Sequence, residues 1–329
     1  MQGHGSNAPP IFRGELPQLE AFTSQYCTTL PLGNYATLTS AKLRNHNRRV
    51  TLMSLLNALK GCAMLERLVL EGYSGLEQGA PHLTPIHLPR LQQLDLLSSD
   101  SALILEHLEV PSLRAQVVIF DSSPQRDILH SLPTTQHDAP YLGGITSLMI
   151  DLNTRSLHHY IAGFRDEGLT AFYIGVHDMP YWAKGGWTQS SFTAVASFAP
   201  FYNIHTLTLV TNALAVPWEL WLPNLNRVEE LTVSCPRPDG LLAALLSSFH
   251  DLRLPLLHSL TLYRRGRYAI VDHTNLMVFV LYRYGAGRPL RQLRLNRDEW
   301  GLIQHLDERW VLLAQSQCKF FRLIPREAR

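Results

Sequence analysis

The sequence predicts an α/β fold whose parallel sheet is assembled from about eleven short, irregular repeats, with helices and loops on the far side. Three observations predict it. The chain has 329 residues and 58 of them are Leu, about twice the usual share of even so common a residue. The leucines recur in one phrase, apolar-x-x-apolar-x-apolar. Its middle apolar position falls at residues 22, 41, 68, 94, 116, 148, 172, 207, 231, 260 and 293. A second phrase, apolar-Pro-x-Leu, precedes or meets the first at residues 16–19, 88–91, 110–113, 222–225 and 254–257, with Arg288-Pro289-Leu290 as a partial copy.

The ten steps from residue 22 to residue 293 average about 27 residues, inside the window of roughly 20–29 that leucine-rich repeats occupy. In such repeats the L-x-x-L-x-L core is a strand. Proline cannot donate a ladder hydrogen bond, so its place is the start of a strand rather than the centre. One unit cannot bury its apolar side alone, and stacked units bury it against one another. The prediction is a leucine-rich-repeat solenoid, a curved parallel sheet inside with helices and loops outside. An ordinary α/β sheet also alternates strand and helix, but it does not require the same three-apolar strand phrase eleven times. No Gly-rich phosphate turn follows any of these strands.

Along the chain the strands read as follows. Weak copies lie at Leu19/Phe22 and Leu38/Ala41/Leu43, then clear ones at Leu65/Leu68/Leu70 and Leu91/Leu94/Leu96. A weak copy at Leu113/Gln116/Val118 is followed by Ile145/Leu148/Ile150 and Leu169/Phe172/Ile174. The series ends with Ile204/Leu207/Leu209, Val228/Leu231/Val233, Leu257/Leu260/Leu262 and Leu290/Leu293/Leu295. Between strands the apolar spacing changes from two to about 3.6, which marks helices. Leu55, Leu56 and Leu59 share one helical face over residues 53–60, closed by Gly61. Residues 101–108, 156–168, 189–198, 240–249, 274–284 and 300–314 read alike.

The length exceeds the roughly 250–300 residues at which one compact core stops growing. Repeats remove that limit by distributing the core. The expected organisation is a disordered segment over residues 1–10, the solenoid over 11–324 and a short tail over 325–329. A hydrophobic fraction of 46% with 17% charged residues excludes wholesale disorder. Cys27, Cys62, Cys235 and Cys318 are too few and too scattered for a disulfide scaffold. No apolar run approaches the roughly 18 residues of a spanning helix. The polar N-terminus has no signal-peptide core. The expectation is an intracellular protein, cytoplasmic or nuclear. Net charge +2 gives no global pull toward nucleic acid or membrane.

Residues 63–72, from Ala63 to Gly72, resemble a repeat of the F-box/leucine-rich-repeat proteins abundant in mushroom-type fungi. So do residues 86–99 with residues 102–113 after them, and residues 11–19 with 30–39. In that family a strand, a short helix and a hydrophobic-Pro-x-Leu phrase recur in this order. The resemblance implies the substrate-recognition repeats of a ubiquitin-ligase receptor, a protein substrate as partner, and a Skp-type adaptor bound through an F-box. No Leu-Pro-Pro-Glu-like F-box phrase occurs near Met1; Ala8-Pro9-Pro10 runs straight into a repeat. The first ten residues are also short and polar for the cap that a terminal repeat needs. The adaptor-binding segment is therefore expected upstream of Met1 or on another chain.

In such strands the phrase residues point inward and their neighbours face solvent. That predicts a partner-binding row at Arg67, Asp95, Met149, Tyr173, Thr208, Thr232, Tyr263 and Arg294, flanked by positions such as Val69, Ala171, Ser234, Ser259 and Thr261. Tyr and Arg are the types enriched at binding hot spots; the alternative is a row of merely solvated strand residues. Residues 264–297 carry eight Arg against one acid, Asp272. Arg264, Arg265, Arg267, Arg291 and Arg297 form a candidate basic patch for an acidic or phosphorylated partner. With Tyr263, Tyr268, Tyr282 and Tyr284 interleaved, nucleic acid is a further reading. Separately solvated arginines are the plain one. Two aromatic loops, at residues 177–187 and 216–221, offer Tyr181, Trp182 and Trp187 as a ligand lip, or Trp packing over the end of the core.

Catalysis is not expected. There is no Gly-x-Ser-x-Gly elbow, phosphate loop, Cys-x-x-Cys or His-Glu-x-x-His spacing. His158-His159 diverge, and His177-Asp178 lacks a nucleophile placed by any motif. Asp298-Glu299 and Glu229-Glu230 read as a helix start and a solvated strand edge. No cofactor or metal is expected. The alternative to a ubiquitin-linked receptor is a repeat scaffold with no such link, acting through its Arg-rich region 264–297.

Overall fold

The structure is a computed structural model that describes residues 19–25, 36–44, 51–73, 76, 84–98, 100–109, 116–121, 144–152, 158–165, 170–177, 203–247, 252–264, 273–296 and 320–324. They fall into two compact units, residues 19–121 and residues 144–324. Both are α/β, and each rests on a mostly parallel sheet.

The first unit runs β1 (Ala21–Gln25), β2 (Ser40–Arg44), α1 (Leu52–Leu59), β3 (Arg67–Glu71), β4 (Ile86–His87), β5 (Gln93–Leu97), α2 (Ser101–Glu106), β6 (Leu108–Glu109) and β7 (Gln116–Asp121). β1, β2, β3, β5 and β7 pair in that order, all parallel. β4 and β6 form a separate short parallel pair. The register aligns the apolar phrases: Ala41, Leu68, Leu94 and Val117 form one rung, and Leu43, Leu70, Leu96 and Ile119 the next. All eight are buried, each large one contributing about 1.5–3 kcal/mol. Helix α1 buries Leu52, Leu55, Leu56, Ala58 and Leu59. Thr51 caps it by accepting from the Ser54 N–H at 3.2 Å, satisfying one of the orphan donors of a first turn.

The second unit holds β8 (Ser147–Leu152), β9 (His158–Phe164), β10 (Thr170–His177), β11 (Thr206–Thr211), α3 (Trp218–Trp221), β12 (Glu230–Cys235), α4 (Asp239–Leu246), β13 (Ser259–Arg264), α5 (His273–Gly285), β14 (Gln292–Asn296) and β15 (Phe320–Ile324). β8, β11, β12, β13, β14 and β15 are parallel neighbours. Leu148, Leu207, Leu231, Leu260 and Leu293 share one rung, and Ile150, Leu209, Val233, Leu262 and Leu295 the next. Every one is buried.

The apolar-Pro-x-Leu phrase sits one step ahead of the strand, as a turn. In its three described copies the N–H of the last leucine donates to the carbonyl of the first: Leu91 to Leu88, Leu225 to Leu222 and Leu257 to Leu254, at 3.0–3.2 Å. Proline stands at the second turn position, where its fixed φ is already correct. Both leucines of each copy are buried. After the turn, two successive N–H groups donate to one carbonyl of the neighbouring strand. Gln92 and Gln93 meet Glu66, Glu229 and Glu230 meet His205, and His258 and Ser259 meet Glu229. This recurring junction starts β5, β12 and β13 in the same register.

Three expectations are corrected. Residues 156–168 are not a helix where described, since residues 158–164 are β9, antiparallel to both β8 and β10. Leu157, Tyr160, Ile161 and Phe164 satisfy the helical period, while His159, Ile161 and Gly163 against Tyr160, Ala162 and Phe164 satisfy the strand period. Strand partners on both sides decide between them. The phrase at Leu169/Phe172/Ile174 consequently lies on a strand reached through a hairpin. In β7 the inward residues are Val117 and Ile119, one position beyond Gln116 and Val118; a one-residue slip exchanges the faces. The predicted helices at 189–198 and 300–314, and the segments 1–10 and 325–329, lie outside the described residues.

Candidate functional site

Opposite the buried rungs, each sheet presents a second face. In the second unit the backbone register lines up Met149, Thr208, Thr232, Thr261 and Arg294 across five parallel strands. Met149, Thr208, Thr232 and Arg294 are partly exposed, as is Tyr263 one rung further. Thr261, Ser259 and Ser234 are instead buried. Thr261 is flanked by Thr232 and the longer Arg294, so a short side chain there is screened. Ala171 is buried because β10 bulges between Thr170 and Phe172. The extra residue breaks the alternation, and Ala171 and Phe172 are both enclosed.

The hairpin strands add an aromatic end to this row. Tyr160 pairs with Asp151 across β8 and β9, and Tyr173 with Ala162 across β9 and β10. The two rings stack, with centroids 5.5 Å apart and planes 19° from parallel. The Tyr160 hydroxyl donates to the Met149 sulfur at 3.6 Å. Gly175 makes the arrangement sterically feasible, because a Cβ there would lie 2.6 Å from the Tyr173 ring. Burial, reinforced by the Asp151 charge, holds the Tyr160 phenol above its ordinary pKa. Burial, then Tyr160 and Asp151, does the same for Tyr173. Met149 and Tyr173, 24 residues apart in sequence, are thus joined through Tyr160, which sequence reasoning placed on a helix. Its signal was the alternation from His159 to Phe164.

In the first unit the two predicted residues meet each other. Arg67 Nη2 lies 3.9 Å from Asp95 Oδ2, and Gln93 Nε2 donates to both Asp95 oxygens at 3.0 and 3.2 Å. Arg44 Nε donates to Glu71 at 2.7 Å, with Lys42 4.0 Å away. Val69 between them is buried. Such half-exposed pairs contribute about 0–1 kcal/mol each and leave little free charge on this face.

The arginines of 264–297 are divided among different places. Arg294 lies on the open face. Arg288 and Arg291 line a pocket of about 440 Å³ together with Glu229, His258, Leu256, the buried Arg283 and others. Arg264 is in β13, and its side chain lies outside the described residues, as do Arg265, Arg267, Arg297, Tyr181, Trp182 and Trp187 altogether. In the second aromatic segment, where residues 218–221 form α3, the two Trp belong to the core while Glu219 and Leu220 are exposed. Trp218 and Trp221 are buried and meet edge to face at 6.0 Å.

Glu229 bridges its neighbours, Oε1 lying 2.9 Å from His205 Nδ1 and Oε2 3.4 Å from His258 Nε2. The hydrogen bond to His205, with the His205 and His258 charges behind it, holds the carboxyl below its usual pKa against a smaller opposing effect of burial. Among the described residues no cluster of three or more His, Cys, Asp or Glu is placed to hold a metal ion, and no helix is long and apolar enough to cross a membrane. No family model, curated protein or solved structure matches the chain.

Proposed function

We propose that each unit is a stretch of leucine-rich-repeat solenoid and that the chain is a non-enzymatic scaffold that captures a protein on its open sheet face. One observation carries this reading. Inward rungs of Leu, Ile and Val in strict register leave an opposite row that runs from the stacked Tyr160–Tyr173 pair and Met149 through Arg294. Stacked tyrosines beside a thioether give large, rigid apolar area with polar tips, the composition of a binding hot spot. Thr208 and Thr232 between them offer hydroxyl donors and acceptors without bulk.

By the resemblance of its repeats to fungal F-box/leucine-rich-repeat proteins, the captured protein is a substrate for ubiquitin transfer, with the adaptor contact supplied by an F-box on a preceding segment or another chain. The test is capture with a Skp-type adaptor, using the chain extended by its upstream coding sequence. Adaptor binding supports the ligase link. Its absence from the extended protein, with substrate capture intact, leaves a scaffold without that link.

A further inference from the structure

The inward face of α5 runs Leu276, Phe279, Val280 and then Arg283, all buried. The fourth position of an apolar stripe therefore carries a guanidinium, 1% exposed and stacked 5.8 Å from the Phe279 ring. Its Nη1 and Nη2 donate to the carbonyls of Leu254 and Leu257. Its Nε–H has no hydrogen-bond partner, and among the described residues no carboxylate pairs with it. A buried charge ordinarily has a counterion.

The helix ends in a Schellman motif. Gly287 at φ +70 ends the helix in the left-handed region. The Arg288 N–H donates to the Arg283 carbonyl, and the Gly287 N–H to that of Tyr284. This geometry brings together the residues four before and one after Gly287, normally an apolar pair. Here they are Arg283 and Arg288, two like charges. Arg283 is accordingly pushed down to about 10 by burial and then by Arg288. Arg291 adds a third guanidinium to the same pocket wall. The one acid there, Glu229, already has a histidine beside each carboxylate oxygen.

We propose that the pocket lined by Arg283, Arg288 and Arg291 is a binding site for a phosphomonoester dianion, borne on a protein side chain or free. Three arginines, with no acidic partner among the described residues, supply one guanidinium for each terminal oxygen of a phosphomonoester and more than offset its charge of about −2. A phosphate there supplies the counterion that Arg283 lacks.

The test is titration calorimetry on the full chain with inorganic phosphate, a phosphoserine peptide, the same peptide without phosphate, and succinate. Phosphate and the phosphopeptide are expected to bind one to one, and succinate at least about tenfold more weakly. A phosphopeptide about tenfold tighter than phosphate identifies a protein-borne group; equal affinities identify a free one. Arg288→Glu and Arg291→Glu lie at exposed positions, so folding is expected to survive, and each is expected to weaken phosphate at least about tenfold. The control Arg90→Glu, exposed and in the other unit, is expected to change nothing. Absence of phosphate and phosphopeptide binding, binding unaffected by both pocket reversals, or succinate equal to phosphate overturns the proposal.

Discussion

Arg283 donates from Nη1 to the carbonyl of Leu254 at 3.0 Å, and this bond ties the end of α5 to the turn before β13. Leu254 is a leucine in the left-handed region, at φ 52, a conformation that costs a non-glycine residue about 1–2 kcal/mol. The neighbouring carbonyl of Leu257 accepts from the same guanidinium. One side chain thus holds both ends of a strained apolar-Pro-x-Leu turn. Arg283→Ala removes the guanidinium bond to the Leu257 carbonyl and one of the two bonds to the Leu254 carbonyl, which keeps the Leu257 N–H, and is expected to lower unfolding stability by about 2 kcal/mol. Urea denaturation measures it; an unchanged midpoint would mean that the turn stands without the clip.

The alternation of the strands makes a paired prediction. Leu207 is fully buried between Leu148 and Leu231, while Thr208, its successor, faces the open row. Leu207→Asp buries an unpaired charge and is expected to cost more than about 4 kcal/mol, enough to unfold the neighbouring strands. Thr208→Asp is expected to cost less than about 1 kcal/mol. Similar melting temperatures for the two variants would reverse the assignment of the faces.

Cys62 and Cys235 are buried free thiols. Burial pushes Cys62 up to about 11 and Cys235 up to about 12. Because the thiolate is the reactive form, both are expected to resist alkylation by iodoacetamide at neutral pH and to react fully in denaturant. Peptide mass spectrometry reads each site separately. Prompt labelling of either one in the folded protein would contradict its enclosure.

Gly175→Ala distinguishes packing from propensity. Alanine in a strand interior ordinarily adds about 0.5–1 kcal/mol over glycine. Here the new methyl meets the Tyr173 ring, so the Tyr160–Tyr173 stack is expected to open and stability to fall by about 1 kcal/mol. The near-ultraviolet dichroism of tyrosine should weaken in parallel. A more stable variant with an intact tyrosine signal would show that the ring yields freely.

Most strands were legible because a leucine buried by stacked neighbours on either side leaves a period that nothing else imitates. Leu68, Leu94, Leu207, Leu231, Leu260 and Leu293 each fall on a described inward rung. The failures came where two periods coincide, as at Leu157/Tyr160/Ile161/Phe164, or where the phrase is weak and its register is free to slip, as at Gln116. The open face was legible by position but not by occupancy. Spacing alone does not show that Arg67 and Asp95 pair with each other, or that Tyr160 joins Tyr173 to Met149. The Arg283 pocket was hidden for a different reason. A guanidinium on an apolar stripe looks like a solvated arginine until the turn it clips and the glycine that places Arg288 beside it are both seen.

The most direct measurement is quantitative affinity capture from the cells that make the protein, comparing wild type with Tyr160→Ser/Tyr173→Ser at matched melting temperature. Loss of the aromatic end is expected to reduce the specifically captured partner at least about tenfold, with Arg90→Glu as the unaffected control. The same partner captured in the same amount by the tyrosine variant would contradict the open face as the binding surface.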